Sequence, residues 1–304
     1  MSTLDRRKFL GATLAAPFAL AAQDSKPAAP RPQRTLKKAV MWGMIGEGKS
    51  ILEKFELLRD CGFDGVEMDS PSEAPPAEIL AAQEKTGVKA HGLVDSVHWR
   101  LPLTHPSADV RAKGLAALLT ALRDAQRYGS TSVLLVPGIV DRTQPYDLAY
   151  ERAQTEIKKA LPLAAECEVK IGIENVWNNF LLSPLEACRF VDEFASPWVG
   201  WHLDLGNVVT YGWPEQWVRI LGKRTCKLHL KEYSNKRRDN EGRWKGFEVD
   251  LLEGDNHWPS ILKALDETGY STATPGNWAT AEIRGGDRKR LAEVAQKIDQ
   301  VLAL

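Results

Sequence analysis

Short apolar runs alternate with longer amphipathic stretches eight times between residue 37 and the C-terminus, and this alternation constrains the fold more than any other feature. The run at residues 132–136 is apolar after its first serine, which is typical of a strand buried on both faces in a parallel sheet. The stretch at residues 108–128 instead carries apolar residues at helical spacing. Eight such units match a (β/α)8 barrel, which usually has about 250 residues.

We therefore predict an α/β fold, a single-domain (β/α)8 TIM barrel over residues 37–304. The strands are predicted at residues 40–45, 65–68, 88–94, 132–136, 170–174, 199–203, 226–230 and 280–283. The helices are predicted at residues 50–61, 76–85, 108–128, 146–167, 184–193, 214–221, 258–268 and 287–304. Ser183 is predicted to cap the fifth of these helices, and residues 233–255 are predicted as a polar insertion. No G-x-G-x-x-G motif follows a strand, which argues against a doubly wound dinucleotide-binding sheet.

The first residues have the layout of a secretory signal. A basic segment at residues 6–8 precedes an apolar run at residues 9–22. Residues 19–21 match the A-x-A pattern of a signal peptidase cleavage site. Because the basic segment starts with paired arginines, we predict a twin-arginine-type signal peptide at residues 1–21 and export to the periplasm. The proline-rich residues 22–36 are predicted to form a disordered linker. The apolar run is shorter than the roughly 20 residues of a membrane-spanning helix, so no stable membrane insertion is expected after signal removal.

Charge and cysteine content exclude several classes of function. The formal net charge at pH 7 is zero, so nothing in the charge balance favours nucleic acid or an anionic membrane as a partner. The four cysteines are far apart and form no C-x-x-C pair, which argues against a zinc site or a disulfide framework. We interpret Cys61, Cys167, Cys188 and Cys226 as small buried hydrophobic residues.

Ionisable residues stand at the ends of the last four predicted strands. These are Glu174, Asp204, His229 and Glu282. Because the active site of such a barrel lies at the C-terminal ends of its strands, we expect the four side chains to converge. Three carboxylates would raise one another's pKa values unless a cation separated them, so the set predicts one divalent metal ion. The mixture of oxygen and nitrogen ligands suits Mn²⁺ best, with Mg²⁺, Co²⁺ and Zn²⁺ as alternatives.

Several motifs resemble the xylose-isomerase-like barrel family, which includes ketose 3-epimerases and hydroxypyruvate isomerases. The motifs are Ile173-Glu174-Asn175, His202-Leu203-Asp204-Leu205-Gly206-Asn207, His229-Leu230-Lys231-Glu232, Glu253-Gly254-Asp255 and Ala281-Glu282. The resemblance spans residues 37–304 and implies metal ligands at the four positions named above. It implies a reaction in which the metal polarises a substrate carbonyl and stabilises an enediolate. Glu174 and Glu282 are then expected to be the catalytic acid/base pair as well as ligands.

Five further residues are candidates for substrate binding: Lys231, His202, Asn207, Glu67 and His91. Lys231 either binds a substrate oxygen or pairs with a neighbouring carboxylate. His202, Glu67 and His91 each either contact substrate, support a ligand from behind, or are ordinary core residues. Some ketose epimerases of the family carry histidine where this chain has Asn207, which puts the usual ketose in doubt. Tryptophans near strand ends and loops either stack on a sugar ring or simply pack; they are Trp99, Trp177, Trp213, Trp244 and Trp278. The insertion is either a solvated loop or a lid over the substrate.

The preferred hypothesis is a metal-dependent isomerase or epimerase acting on a small sugar, keto-sugar or hydroxy-ketone. A lyase that dehydrates an inosose or keto-glycoside is the first alternative, because proton abstraction beside a carbonyl precedes both outcomes. A non-catalytic sugar-binding protein would keep the tryptophans without needing Glu174 or Glu282 as a base. The DNA-cleaving branch of this fold is disfavoured, because it requires more than the six histidines present and a basic face. If the protein is exported, a free sugar is expected rather than a phosphosugar; assembly as a homo-oligomer stays open.

Overall fold

Eight parallel strands close into a barrel in the order in which they occur along the chain, and the last strand pairs with the first. The computed structural model describes residues 33–304. The strands are β1 Lys37–Met41, β2 Gly65–Ser70, β3 Lys89–Asp95, β4 Ser132–Leu135, β5 Lys170–Glu174, β6 Val199–Asp204, β7 Thr225–Leu230 and β8 Trp278–Ala281. The helices are α1 Ile51–Asp60, α2 Pro76–Thr86, α3 Ala108–Tyr128, α4 Tyr146–Cys167, α5 Pro184–Asp192, α6 Pro214–Leu221, α7 Asn235–Glu241, α8 Trp258–Glu267 and α9 Arg288–Leu302. The predicted single-domain (β/α)8 TIM barrel is confirmed.

Two strands begin earlier than predicted. Strand β1 starts at Lys37 rather than at residue 40, and β8 starts at Trp278 rather than at residue 280. Lys37 and Trp278 are paired across the closure of the barrel, with the Lys37 ammonium 5.2 Å from the centre of the tryptophan ring. Because this pair joins a charged residue to an aromatic one, a search for apolar runs overlooks it. The 3₁₀ turn Trp42–Met44 takes up residues that were predicted as strand.

The predicted insertion at residues 233–255 contains regular structure, namely α7 and the 3₁₀ helix Arg243–Phe247. Ser234 caps α7 by accepting a hydrogen bond from the backbone N–H of Arg237 at 3.3 Å. Arg237 in turn pairs with Glu241 at 2.7 Å. Helix α7 buries none of its residues. It therefore lacks the apolar stripe by which a helix is recognised in a sequence.

Other helix ends follow the predicted signals. Ser183 accepts a hydrogen bond from the backbone N–H of Glu186 at 3.2 Å, so its predicted role as the cap of α5 is confirmed. Helix α3 ends at Gly129, which has a left-handed φ of 74°. Glycine adopts that conformation without the steric cost that a Cβ atom imposes. Gly129 thus marks the turn into β4, and Ser183 ends the loop that follows β5.

The chain contacts the barrel before its first strand begins. Residues 1–32, which include the predicted signal peptide, lie outside the described residues. At the end of the predicted linker, Arg34 pairs with Asp266 at 3.0 Å and the backbone N–H of Thr35 donates to Ser271 O at 2.8 Å. These last residues of the linker therefore belong to the folded unit. Within residues 33–304, no helix combines the length and apolar character that crossing a membrane requires.

The hydrophobic core lies between the strands and the surrounding helices, where side chains such as Phe190 are fully buried. The four cysteines carry no disulfide. Cys167 is buried as predicted, whereas Cys61, Cys188 and Cys226 are only half-buried. The prediction of burial was wrong for these three. Cys61 is the C-terminal cap of α1, Cys188 lies in the middle of α5 and Cys226 is the second residue of β7.

Candidate active site

The carboxyl ends of the last four strands bring four ionisable side chains together. Glu174 ends β5, Asp204 ends β6, His229 is the last residue but one of β7, and Glu282 follows β8. One potential ligand atom from each residue lies within 4.8 Å of those of the other three. Asp204 and His229 are fully buried, and Glu174 is nearly so. We call these four residues the outer cluster. The structure brings the predicted metal ligands together, while ion binding by them stays a prediction.

Two asparagines fix the end of β6 and so the position of Asp204. The side chain of Asn175 donates to Asp204 O at 2.8 Å and accepts from the backbone N–H of Asp204 at 3.0 Å. Asn207 donates its backbone N–H to Asp204 Oδ1 at 2.8 Å and its amide to Asn175 O at 2.9 Å. Asn207 was predicted to bind substrate. Its side-chain NH₂ group already donates to the backbone, although the residue does line the cavity described below.

Lys231 supplies positive charge to the outer cluster. Its ammonium lies 2.9 Å from Glu282 Oε1 and 3.3 Å from Asp204 Oδ2. Of the two predicted roles for Lys231, the structure therefore contains the ion pair with neighbouring carboxylates. The residue also lines the cavity, so a substrate oxygen can still approach it.

Neighbouring charges separate the pKa values of the carboxyl groups. Burial raises the pKa of Asp204 to about 8, although the Lys231 ammonium lowers it. Burial also raises the pKa of Glu174. Burial alone would raise the pKa of Glu282 as well, but Lys231 and the His229 ring hold it well below its usual value. Two carboxyl groups whose pKa values are driven apart are suited to act as an acid and a base.

Two oxygens of the outer cluster accept no hydrogen bond from any described residue, namely Asp204 Oδ2 and Glu282 Oε2. Lys231 Nζ and His229 Nδ1 are close to them, at 3.3 and 2.9 Å respectively, but the bond directions are wrong for hydrogen bonds. A buried charged oxygen without a partner is costly. A divalent cation between the four side chains would give both oxygens a partner.

A second group of buried residues lies behind His229. Its Nε2 atom is 2.6 Å from Glu67 Oε2, and His202 Nε2 is 3.9 Å from Glu67 Oε1. We call Glu67, His202 and His229 the inner cluster. Glu67 and His202 were both considered as substrate contacts. They are fully buried and do not line the cavity, so their positions agree with the alternative that both support a ligand from behind.

An open cavity of about 590 Å³ lies over the outer cluster at the C-terminal ends of the strands. Three of the four cluster residues line it directly, Glu174, His229 and Glu282. The remaining lining residues are Met41, Asp69, Val94, Asp95, Ser96, His98, Trp99, Leu134, Val176, Trp177, Asn207, Lys231, Trp244 and Phe247. The cavity thus combines an ionisable floor with largely apolar and aromatic walls, as small-molecule sites commonly do.

Aromatic residues of the insertion form part of the cavity wall. The ring centre of Trp177 lies 5.2 Å from that of Trp244 and 4.8 Å from that of Phe247. The Arg243 guanidinium packs over the Trp177 ring at 4.3 Å. Of the two predicted interpretations of the insertion, a solvated loop or a lid, the structure agrees better with the second, because Trp244 and Phe247 face the site.

Comparison with known proteins agrees with this architecture. A family described as "Xylose isomerase-like TIM barrel" matches residues 55–301, which contain the whole outer cluster. The chain belongs to this family.

Curated relatives of this xylose isomerase-like barrel are named as sugar epimerases. L-ribulose-5-phosphate 3-epimerase UlaE of Escherichia coli O1:K1 is 26% identical over 180 residues, which are 53% of this chain and 61% of that protein. The chain thus matches only about three fifths of the length of this relative. UlaE of Salmonella paratyphi C is 26% identical over 243 residues, which are 73% of this chain and 80% of that protein.

Solved structures share the fold at low sequence identity. A D-tagatose 3-epimerase-like protein superposes with a TM-score of 0.74 at 17% identity, covering 88% of this chain and 97% of its own. The 3-keto-D-glucoside 4-epimerase YcjR of E. coli also gives 0.74, at 13% identity, covering 88% of this chain and all of its own. D-psicose 3-epimerase of Clostridium cellulolyticum superposes with a TM-score of 0.70 at 19% identity, covering 88% of this chain and 99% of its own.

In this xylose isomerase-like barrel, His91 does not lie where the sequence places it. It was predicted to end a strand, but β3 continues to Asp95, and His91 is buried and does not line the cavity. It stacks on Trp278, with ring centres 4.2 Å apart, and its Nδ1 lies 3.0 Å from the Lys227 ammonium. Of the alternatives considered for His91, its position agrees with a core residue, because the predicted strand 88–94 does not reveal how deep in the barrel each residue lies.

Of the five tryptophans considered for stacking, Trp99, Trp177 and Trp244 line the cavity. Trp213 is exposed elsewhere, and Trp278 packs inside the barrel against His91. Two acids of the cavity were missed by sequence reasoning, Asp69 and Asp95. Both stand at or next to the end of an early strand, which is the same signal that identified the outer cluster.

Proposed function

We propose that this protein is a divalent-metal-dependent isomerase or epimerase that acts on a small sugar, keto-sugar or hydroxy-ketone. The observation that carries the proposal is the convergence of four potential ligand atoms within 4.8 Å at the floor of an open cavity. The names of UlaE and of D-psicose 3-epimerase, both sugar epimerases, support the reaction class. We propose Mn²⁺ as the preferred ion, with Mg²⁺, Co²⁺ or Zn²⁺ as alternatives, held by Glu174, Asp204, His229 and Glu282.

The proposed reaction depends on the two carboxyl groups that line the cavity. A divalent ion bound here would supply Lewis-acid polarisation of the substrate carbonyl. Glu174 and Glu282 follow strands that are not neighbours in the barrel, β5 and β8, so they approach the site from different sides. One of them removes the proton next to the carbonyl, and the other returns a proton to the opposite face of the enediolate. The direction of the reaction determines which glutamate acts first.

The charge of the cavity supports an uncharged substrate. Among the described residues that line it, Lys231 is the one lysine or arginine, and its ammonium already pairs with Glu282 and Asp204. Asp69 and Asp95 also face the cavity, so a phosphate group would meet carboxyl groups instead of further cationic side chains. We therefore propose a free sugar, keto-sugar or keto-glycoside, in contrast to the sugar phosphate in the name of UlaE. A cavity of about 590 Å³ falls in the range of about 300–1,000 Å³ that accommodates drug-sized ligands, so a second ring also fits.

A lyase is the second candidate, and Asp95 is the observation that favours it. Burial raises the pKa of this cavity carboxyl to about 7, so the group still carries a proton near neutral pH. A protonated carboxyl can donate to an oxygen that leaves as water or alcohol after the neighbouring proton has been removed. An epimerase needs no such donor, because its substrate loses no group.

The deciding experiment is incubation of the Mn²⁺-loaded protein with a panel of ketoses and keto-glycosides in D₂O. Deuterium should appear at the carbon next to the carbonyl, and Glu174→Gln should reduce this exchange by at least about 100-fold, the usual scale for loss of a general acid or base. Glu156→Gln is the matched control, because Glu156 is an equally buried carboxylate on α4 that pairs with Arg111 and Lys159. Products that have lost water or alcohol would favour the lyase. Sugar binding without deuterium exchange would favour a non-catalytic sugar-binding protein. Full exchange in Glu174→Gln would refute the assigned role.

We further propose that the protein is exported by the twin-arginine route, on the basis of the sequence at residues 6–22. Replacing both Arg6 and Arg7 with lysine should leave the protein in the cytoplasmic fraction of the producing cells. Equal amounts of both forms in the periplasmic fraction would contradict the proposal.

A further inference from the structure

The two ring nitrogens of His229 face different groups. Nδ1 points to the outer cluster, 2.9 Å from Glu282 Oε2 and 3.2 Å from Glu174 Oε1. Nε2 points the opposite way, 2.6 Å from Glu67 Oε2. A neutral imidazole carries a proton on one nitrogen and a lone pair on the other. The partner of Nε2 therefore determines what Nδ1 can do.

We propose that Glu67 is a positioning residue that holds the proton of His229 on Nε2, so that Nδ1 presents its lone pair to the metal ion. An ionised carboxylate only accepts hydrogen bonds, so Nε2 must donate to Glu67. Histidines that bind metal commonly donate their second N–H to a carboxylate in this way. The inference rests on the proposed metal site, but concerns a residue that contacts neither the ion nor the cavity.

The strand geometry places Glu67 for this role. The pairing of β2 with β3 shifts between Val66 and Glu67, and such an irregularity redirects the side chains next to it. Gly92 on β3 leaves the space that the carboxylate needs, because a Cβ atom there would lie 2.9 Å from Glu67 Oε1. Glu67 is therefore built into the barrel wall rather than free to turn towards the cavity.

His202 restricts the same ring from another side. Its ring packs edge-on against that of His229, with centres 4.1 Å apart. The pairing of β6 with β7 also shifts immediately before His202. The His202 ring thus fixes the orientation of the His229 ring, and the Glu67 carboxylate fixes which of its nitrogens carries the proton.

The inner cluster has a second interpretation as a metal site of its own, since Glu67, His202 and His229 each offer a ligand atom. The contact of 2.6 Å between Glu67 Oε2 and His229 Nε2 argues against it. An ion between the two atoms would need about 2.0–2.2 Å to each of them, which this separation suits poorly. A hydrogen bond accounts for the contact directly.

The test compares Mn²⁺ binding by the wild-type chain and by Glu67→Gln, using calorimetry and the electron paramagnetic resonance of free Mn²⁺. The glutamine amide can donate to Nε2 and so move the proton to Nδ1. We expect affinity to fall by about 10–100-fold, the usual effect of losing such a partner. One ion per chain is expected for both proteins, and Glu156→Gln should bind Mn²⁺ like the wild type.

A second measurement needs no variant. In the Zn²⁺-loaded wild-type protein, the ¹⁵N resonances of His229 should report a proton on Nε2 and none on Nδ1. A proton on Nδ1 would show that this nitrogen does not bind the ion and would overturn both the ligand role of His229 and the role of Glu67. Unchanged Mn²⁺ affinity in a folded Glu67→Gln would overturn the role of Glu67 alone. Two ions in the wild type and one in Glu67→Gln would overturn it in favour of an inner metal site. Absence of any Mn²⁺ binding by the wild type would instead refute the proposed metal centre, and the Glu67 inference with it.

Discussion

At the scale of single residues, neighbours decide how a carboxyl group behaves. Burial acts on Glu282 and Asp204 alike, yet Lys231 and the His229 ring hold the pKa of Glu282 well below its usual value, whereas that of Asp204 rises to about 8. Asp95 lines the same cavity, and there burial has the dominant effect and raises the pKa to about 7. Carboxyl groups of a single site thus differ in charge at neutral pH.

Asp95 makes a prediction about stability. In the unfolded chain its carboxyl ionises near pH 3.9, whereas in the folded protein burial delays ionisation to about pH 7. Between these pH values the folded state binds more protons, so the contribution of Asp95 to stability falls as the pH rises. Asp95→Asn removes this loss. We expect its free energy of unfolding in urea to exceed that of the wild type at pH 8 by roughly 4 kcal/mol.

At pH 4 the free energies of unfolding of Asp95→Asn and the wild type should differ little, because the Asp95 carboxyl of the folded wild type is protonated at that pH. Asp141→Asn is a suitable control, since Asp141 is an exposed carboxylate whose pKa is lowered by the side-chain hydrogen bond from Thr143. It should show no gain at pH 8. Equal stability of Asp95→Asn and wild type at both pH values would contradict the prediction.

Sequence reasoning identifies the outer cluster because each of its members stands at or next to a strand end. It does not decide between the alternatives considered for Glu67, which lies in the interior of β2. The depth and direction of that side chain depend on the pairing irregularity before it, and the irregularity leaves no mark in composition or periodicity. The buried Lys227 is missed for a related reason, because a lysine in a predicted strand is expected to face water.

At the scale of elements, the insertion between β7 and α8 completes the cavity. Gly246 of this segment packs against the Tyr233 ring so closely that a Cβ atom would lie 2.4 Å from it. This contact holds the 3₁₀ helix Arg243–Phe247 over the site and directs Trp244 and Phe247 into the cavity. The sequence predicts the insertion but not its packing, because a charged segment without periodicity gives no contact information.

Trp244 tests whether the insertion binds substrate. Its side chain lines the cavity while remaining 67% exposed, so Trp244→Ala should leave the thermal unfolding midpoint almost unchanged. Loss of an aromatic contact worth about 0.5–1.5 kcal/mol should weaken sugar binding by roughly two- to tenfold. Binding is measured by titration of the metal-loaded protein with the best substrate of the D₂O panel.

Trp213 provides the matched control for this variant. It is 64% exposed but does not line the cavity, so Trp213→Ala removes the same side chain from a comparable environment without touching the site. Its sugar affinity should equal that of the wild type. If both variants lose affinity equally, the effect does not come from stacking in the cavity.

At the scale of the whole molecule, barrel closure assembles the outer cluster from β5, β6, β7 and the end of β8. An ion that binds this cluster binds the folded state alone and stabilises it by mass action. At a concentration one hundred times its Kd, Mn²⁺ should add about 2.7 kcal/mol to the free energy of unfolding. We therefore expect Mn²⁺ to raise the thermal unfolding midpoint by several degrees and a chelator to reverse the change.

Asp204→Asn should abolish the stabilisation by Mn²⁺, because it weakens one ligand at the centre of the cluster. Asp192→Asn is the control, since Asp192 is a surface residue that pairs with Arg224 and lies outside the cluster. It should keep the full shift. A wild-type midpoint that does not respond to Mn²⁺ would contradict the proposed metal centre.

Fold and family could be predicted from the sequence because they depend on a pattern repeated eight times, so an error in one strand does not alter the result. The substrate could not be predicted in the same way, because substrate choice depends on which loops reach the cavity and how their side chains are oriented there. Trp99 and Trp244 follow strands on opposite sides of the barrel, β3 and β7, and only the folded chain brings them to the same cavity.

Strand β8 pairs with β1, and Glu282 comes directly after it. While the chain is being translated, Glu174, Asp204 and His229 leave the ribosome before Glu282, the fourth residue of the outer cluster. A nascent chain therefore cannot assemble the complete set of ligands, and metal loading must follow synthesis of the last strand. A frameshift that removes the residues beyond Ala281 would abolish the proposed centre even if the preceding strands were made correctly.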